Sequence, residues 1–307
     1  MESHKHTVGS SWVIPCPPEK RREALLQLAA AHDPAQQAAL SAGVKAMQQQ
    51  PDAQWGGLWI SLEGQQLTGA IWVQPLPLNM AQLWLPHVEG VHRNALIETA
   101  RAWVMDQQLT LCNIEIAPDA TRTKAQLLAH GMAPLVSLRC LRAATDNRLP
   151  GMTPAVSLRW TPWEALTPTQ QHALLKAVEQ ASLDSCVLRE ILSVEDLLAG
   201  FYQQDAHAPA HWYALWVDES PTPVGVLLLA PRHEVNRWEL MLMGVVPEWR
   251  RQGLGRYILN DALALAQQAG AHELLLSVDQ DNTPAFDLYS RAGFTEYAQQ
   301  HVLAWRG

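Results

Sequence analysis

Apolar positions along this chain change period several times, and the changes are clearest in its second half. TPTQQHALLKAVEQ (167–180) spaces its apolar residues by threes and fours and opens on Thr-Pro, which predicts an amphipathic helix. REILSVEDLLAGFYQ (189–203) predicts another. RWTPWEAL (159–166) reads as the start of a short strand. HWYALWV (211–217), PVGVLLLAP (223–231) and RWELMLMGVV (237–246) are apolar runs of strand length, the first two joined by the turn-rich DESPT. LGRYILNDALALAQQAG (254–270) returns to helical spacing and stops on glycine. HELLLSV (272–278) is a buried-looking strand. NTPAFDLYSRAG (282–293) is a short helix with Asn as its cap, Pro in its first turn and Gly at its end. HVLAWR (301–306) reads as the last strand.

The first half repeats this order more faintly. EKRREALLQLAAAH and PAQQAALSAGVKAMQQQ read as helices, and LWISLEG, GAIWVQPLP and QLWLPHV as strands. ALIETARAWVMDQQL then predicts a helix, LCNIEIAP a strand, TRTKAQLLAHG a helix and LVSLRCLRA a strand. Gly69 registers on Gly225, an offset of 156, whereas Ile116 registers on Val278 and Gly131 on Gly293 at an offset of 162. The second copy therefore gains six residues between its second strand and its long helix. A repeat of this length is a duplicated domain, since solenoid periods are shorter. The expected fold class is mixed α/β (α+β): two domains, 1–145 and 155–307, each a largely antiparallel sheet flanked by helices, because several strands are joined by short turns. The polar, Pro/Gly-bearing stretch around 144–155 is the expected linker.

Composition narrows the setting. The 307 residues are 48% hydrophobic and 17% charged, which marks a globular chain long enough for two cores. A net charge of -8 without a visible basic stripe argues against a nucleic-acid partner and is compatible with a neutral or cationic one. The four cysteines, Cys16, Cys112, Cys140 and Cys186, are scattered and form no CxxC pair. The N-terminal MESHKHTVGSSWVIP has no apolar signal core, and no run approaches membrane-spanning length. The expectation is a cytoplasmic protein without a membrane partner. HAPAH (207–211) holds two histidines four apart, but its prolines break helical spacing, so no metal site is expected. The oligomeric state stays open.

The six added residues fall in the interval that contains VVPEWRRQGLGRYILN (245–260). There a strand ends, the chain turns sharply, and a helix starts near Gly253 and Leu254. Amides at a helix start lack intrahelical partners, and the helix dipole makes them an anion site. Gly253 and Gly255 remove side chains where an anion would touch backbone, and Arg250, Arg251 and Arg256 add positive charge. A pyrophosphate fits this description, and so does a tight turn with solvated arginines. A dinucleotide fingerprint would need a glycine where Ile258 stands.

A second motif, N-x-x-A-x-x-L-Y-x-x-x-G-F from Asn282 to Phe294, follows the loop motif V-x-P-x-x-R-R-x-G-x-G in order, with a helix and a strand between them. Together the two resemble the GNAT superfamily of acyl-CoA-dependent N-acyltransferases, over roughly residues 155–307. The resemblance implies that Arg250, Arg251, Gln252, Gly253, Leu254, Gly255 and Arg256 hold the pyrophosphate of acetyl-CoA. It implies that the backbone of Val245 and Val246 pairs with the pantetheine arm like an added strand. It implies that an acceptor amine attacks the thioester directly and that Tyr289 gives the leaving thiolate its proton. The ordinary values, about 10 for a phenol and 8.5 for a thiol, are taken to make that transfer downhill. Asn282 caps its helix and is placed to reach the pantetheine.

The amine must also lose a proton. Glu239 lies six residues before Val245, where some members of the superfamily place a general base, and simple strand alternation puts it on the face of Met241, Met243 and Val245. An exposed glutamate paired with a nearby arginine is the plainer reading. His211, Asp205 and His207 are alternatives, and His233 and Glu234 lie toward the acceptor side. At the offset of 162, Val88, Val91 and Arg93 stand opposite Arg250, Gly253 and Gly255, and Leu127 stands opposite Tyr289. The first half thus looks like a degenerate copy without phosphate loop or acid, in a layout similar to that of mycothiol synthase. The favoured function is acetyl transfer from acetyl-CoA to an amine on a small molecule. A non-catalytic acyl-CoA-binding module and a protein N-terminal or lysine acetyltransferase stay open.

Overall fold

A computed structural model describes residues 12–32, 34–47, 52–86, 92–147, 149, 156–184, 186–204, 208–218, 220–232 and 236–307. The chain divides into two compact units, Met1–Pro134 with Val302–Gly307, and Leu135–His301.

The first unit runs β1 (Trp12–Pro15), α1 (Arg21–Ala30), α2 (Pro34–Met47), β2 (Leu58–Glu63), β3 (Gln66–Leu76), β4 (Met80–Trp84), α3 (Arg93–Asp106), β5 (Leu111–Ile116) and α4 (Thr121–Ala129). Its strands lie in the order β1-β2-β3-β4-β5. They pair antiparallel except β4 with β5, which run parallel over Met80–Gln82 and Leu111–Asn113. Strand β1 was not expected, because four residues are too few to show a period. The core joins Ile71, Val73, Ile97 and Leu127 to Leu303 and Trp305 from the end of the chain. Trp305 donates its indole N–H to the His130 carbonyl at 3.0 Å.

The second unit contains most of β6 (Ala133–Ala144), then β7 (Leu158–Pro162), α5 (Pro168–Glu179), α6 (Cys186–Ile191), α7 (Val194–Gln204), β8 (Trp212–Val217), β9 (Gly225–Arg232), β10 (Arg237–Val245), α8 (Leu254–Gln268), β11 (Glu273–Asp279), α9 (Thr283–Arg291) and the first part of β12 (Thr295–Trp305), whose last residues, from Val302, belong to the first unit. The strand order is β12-β6-β11-β10-β9-β8-β7. Helix α5 opens with a reciprocal capping box between Thr167 and Gln170. The helix expected over 189–203 is two helices, because Ser193 and Asp196 cap each other and start a new one. Gly131 and Gly293, matched in the repeat, both take left-handed backbone, φ 83° and 81°, just after their helices.

The expected boundary after residue 145 does not coincide with the observed one. Strand β6 pairs antiparallel with β11 from Leu138 to Ala144, so residues 135–144 build the second unit. The expected linker begins inside that unit too: Thr145 donates to the Ala271 carbonyl at 2.7 Å, and the Leu149 N–H reaches Asn260 at 3.0 Å.

Candidate active site

Strands β10 and β11 pair in parallel only over Arg237–Glu239 and Glu273–Leu275. Beyond that point β10 keeps β9 on one side and has no pairing to β11 on the other. A cavity of about 360 Å³ opens in the second unit, lined by the far end of β10 (Leu242–Val245), Arg250, Arg251 and Gly255. Its other walls are Asn282, Leu288 and Tyr289 of α9 and the segment from Val178 to Asp184 that ends α5.

Backbone groups on the β10 wall alternate in direction. Val246 donates its N–H to the Val224 carbonyl at 2.9 Å, so it faces β9. Alternation then turns the peptide groups of Val245 and Met243 toward the cavity. The Val245 carbonyl is held by Arg250 Nε at 2.8 Å. Met243 and the Val245 N–H are therefore the groups placed for strand-like pairing with a ligand, and Val246 is not.

The β10–α8 turn leaves backbone amides open at the head of a helix. Arg251 and Gly253 both take left-handed backbone, φ 63° and 86°, which turns the chain sharply at the head of α8. Gly253 is the N-cap and offers no side-chain bond, so the first amides of α8 stay available. The Leu254 side chain is buried in the core, which leaves its N–H as its contribution. A Cβ on Gly255 would meet Leu288 at 3.4 Å, an ordinary contact, so the fold itself does not demand glycine there. Gln252 is tied back to the Glu248 carbonyl at 3.1 Å.

Arg250 plays a different part from the other arginines. Besides Val245, its guanidinium donates to the carbonyls of Val178 at 2.9 Å, Gln180 at 2.7 Å and Ala181 at 3.2 Å. Arg189 donates to the carbonyls of Glu179 and Ser182. Two guanidinium groups thus satisfy five consecutive carbonyls at the end of α5 and hold that segment over the cavity. Arg250 is committed to backbone, and Arg251 and Arg256 supply the uncommitted positive charge near the helix start.

Tyr289 is 7% exposed and packs its ring on Phe294, with centroids 5.7 Å apart. Burial pushes its phenol above the usual tyrosine range, and the Asp184 carboxylate pushes the same way. Here the expectation of a downhill transfer fails. The group with the higher pKa keeps its proton, so a phenol near 10 gives one to a thiolate near 8.5 at a cost of about 2 kcal/mol. Burial of Tyr289 widens that gap. Asn282 is 8% exposed and accepts the Ala285 N–H at 3.3 Å, which caps α9.

Glu239 is placed differently from the alternation argument. A bulge between Leu240 and Leu242 shifts the register of β10 on β9, so Glu239 shares its face with Leu242 and Gly244, while Met243 and Val245 turn to the other. Arg232 donates to Glu239 Oε2 through Nε at 2.9 Å and through Nη2 to the same oxygen. Glu239 is not among the residues lining the cavity. His211 packs on Trp238, centroids 4.4 Å apart, and does not line the cavity either. Asp205, His207, His233 and Glu234 lie outside the described residues, as do Val88 and Val91 of the matched first-half loop. Leu127, opposite Tyr289 in the repeat, is fully buried.

Two carboxylates that sequence reasoning missed face this cavity. Glu179 and Asp184 both have raised pKa values, chiefly because burial strips water from their charged forms. No motif surrounds either residue, and only the packing of the α5 end over the cavity brings them in. Among the described residues, no group of three His, Cys, Asp or Glu side chains is arranged to hold a metal ion. No helix among them is long and apolar enough to cross a membrane.

The model of the acetyltransferase (GNAT) family matches residues 174–294, which contain every residue of the amide-lined turn and α9 through Phe294. Mycothiol acetyltransferase of Arthrobacter sp. (strain FB24) is 31% identical over 175 residues, 55% of this chain and 52% of that protein. Mycothiol acetyltransferase of Geodermatophilus obscurus is 32% identical over 111 residues, 36% of this chain and 29% of that protein. At most, then, the chain spans about half the length of these relatives. A GCN5-related N-acetyltransferase from Sphaerobacter thermophilus shares the fold with a TM-score of 0.67 at 16% identity, over 96% of this chain and 95% of its own. A tandem GNAT protein from the clavulanic acid biosynthesis pathway does so with a TM-score of 0.58 at 14% identity, over 97% and 98%. Residues 174–294 thus match the acetyltransferase (GNAT) family, and the chain shares its fold along nearly its whole length with a tandem GNAT protein.

Proposed function

We propose that the second unit transfers an acetyl group from acetyl-CoA to an amine on a small molecule. One observation carries this reading: the cavity runs from an amide-lined helix start, along unpaired β10 backbone, to a buried tyrosine. Those residues suit the co-substrate. The α8 amides with Arg251 and Arg256 would receive its pyrophosphate, and Met243 and Val245 its pantetheine arm. Tyr289 lines the same cavity and would stand where the thiol leaves. The relatives' names support a small-molecule acceptor, and at this identity and coverage they do not specify which one.

Stabilisation by acetyl-CoA in thermal melting, with thiol release on adding a primary amine, is the expected behaviour. Stabilisation without release on any amine would favour a non-catalytic acyl-CoA-binding module. Absence of both removes the reading. Release with peptide amines alone would point to a protein acetyltransferase.

A further inference from the structure

The cavity holds a carboxylate that acetyl transfer, as proposed, leaves without a task. Asp184 Oδ1 accepts the Asp279 N–H at 3.1 Å, and its carboxylate takes a second hydrogen bond from the Asn282 side chain. These contacts come from the end of β11 and the cap of α9. Asn282 and Tyr289 are seven residues apart, two helical turns, and so share one side of α9. Asp184 and Tyr289 line the same cavity. The charged and titratable groups around Asp184 are Glu179 on α5, Arg189 on α6, Asp279 on β11 and Tyr289 on α9, with Arg250 facing Glu179.

We propose that Asp184 takes the proton lost by the attacking nitrogen and drives it through Tyr289 to the departing thiolate. This rests on the acetyl-transfer reading of the cavity. The amine enters neutral, its ammonium proton left in water. Its lone pair forms the N–C bond at the thioester carbonyl, leaving positive charge on nitrogen and negative charge on oxygen. Asp184 accepts one N–H proton. The carbonyl re-forms, and the C–S bond breaks with its electron pair on sulfur. Tyr289 gives its O–H proton to the thiolate while the Asp184 carboxylic acid restores the phenol. The products are the amide and the free thiol, and both side chains return to their starting states.

The circuit removes the difficulty of an isolated phenol. Net transfer runs from a carboxylic acid to a thiolate, which is downhill, and no phenolate accumulates in a buried site. The raised pKa of Asp184 moves a carboxylate toward the range useful for a base.

Asp184→Asn tests this, because the amide oxygen can still accept the Asp279 N–H. Rates of thiol release are measured with acetyl-CoA and glucosamine, spermidine or a short peptide amine. The expected result is a fall in turnover of about 100-fold or more, loss of the acidic limb of the pH profile, and a KM for acetyl-CoA within about threefold of the parent. Asp184→Asn combined with Tyr289→Phe should be no slower than the slower single variant, since the two act as one unit. Parent-like turnover in Asp184→Asn, a retained acidic limb, or losses that multiply in the double variant would overturn the proposal. A carbon-13 carboxyl titration of the full-length protein needs no acceptor. Asp184 should titrate above the ordinary aspartate range, and a midpoint within that range also overturns it. If the parent neither binds acetyl-CoA nor releases thiol, the acetyl-transfer reading itself fails. If the parent turns over and Asp184→Asn matches it, only the proton circuit fails.

Discussion

Burial raises the pKa of both Tyr289 and Asp184, because each loses water around its charged form. For Asp184 this has a consequence for stability. Its folded pKa lies above its unfolded one, so its contribution is complete below the unfolded value and is lost as pH rises through the folded value. Asp184→Asn removes the ionisable group, and the melting temperature of the variant relative to the parent should rise between pH 4 and pH 8. A difference that stays level across that range would contradict buried ionisation. Tyr289→Phe should lower turnover by two orders of magnitude or so and leave acetyl-CoA affinity within a few-fold. Equal turnover in parent and variant would end its role as acid. Gly255→Ala separates fold from ligand. Alanine suits a helix better than glycine, by up to about 1 kcal/mol, and the added methyl meets only an ordinary contact. The variant should melt no lower than the parent yet bind acetyl-CoA more weakly in calorimetry, and parent-like affinity would argue against backbone contact at that residue.

At the scale of elements, the site depends on two interruptions of regular structure. The bulge in β10 turns Glu239 away from the face of Met243, and the divergence of β10 from β11 leaves strand backbone open to the cavity. The end of α5 is held over that opening by Arg250 and Arg189. Arg250→Met keeps the aliphatic stem and removes the donors. It should cost about 1–2 kcal/mol in denaturant unfolding and also weaken acetyl-CoA binding, because the Val178–Asp184 segment loses its tether. Arg251→Gln should weaken binding with little change in stability, since Arg251 is exposed. If both variants were equally destabilised, the distinction between a tethering and a ligand-facing arginine would fail. The helices and most strands of this region were legible from apolar period and caps. The bulge was not, because an extra residue in a run of alternating methionines and leucines leaves the pattern of apolar residues unbroken.

On the scale of the whole chain, the halves of the sequence are not the units of the structure. Residues 135–144 build the second unit, and Val302–Gly307 build the first. A fragment of 155–307 lacks β6, which leaves the β11 edge unpaired over seven residues. Expressed alone, it should aggregate, whereas 135–307 should remain soluble and be stabilised by acetyl-CoA. Equal behaviour of the two fragments in size-exclusion chromatography would show that β6 is dispensable. Trp305→Ala should destabilise the first unit by roughly 3–5 kcal/mol, as loss of a fully buried tryptophan does.

The sequence by itself determined the duplicated architecture, most elements and the chain positions of Gly253, Gly255, Asn282 and Tyr289. These features are local: a period, a cap, a turn that needs glycine, and a spacing between two motifs. Only the tertiary structure decided what faces the cavity. It committed Arg250 to backbone, paired Glu239 with Arg232, and brought Asp184 and Glu179 in from a segment without a motif. Those outcomes rest on contacts between residues far apart in the chain and on burial. Both depend on how sheet and helices pack, so no local pattern carries them.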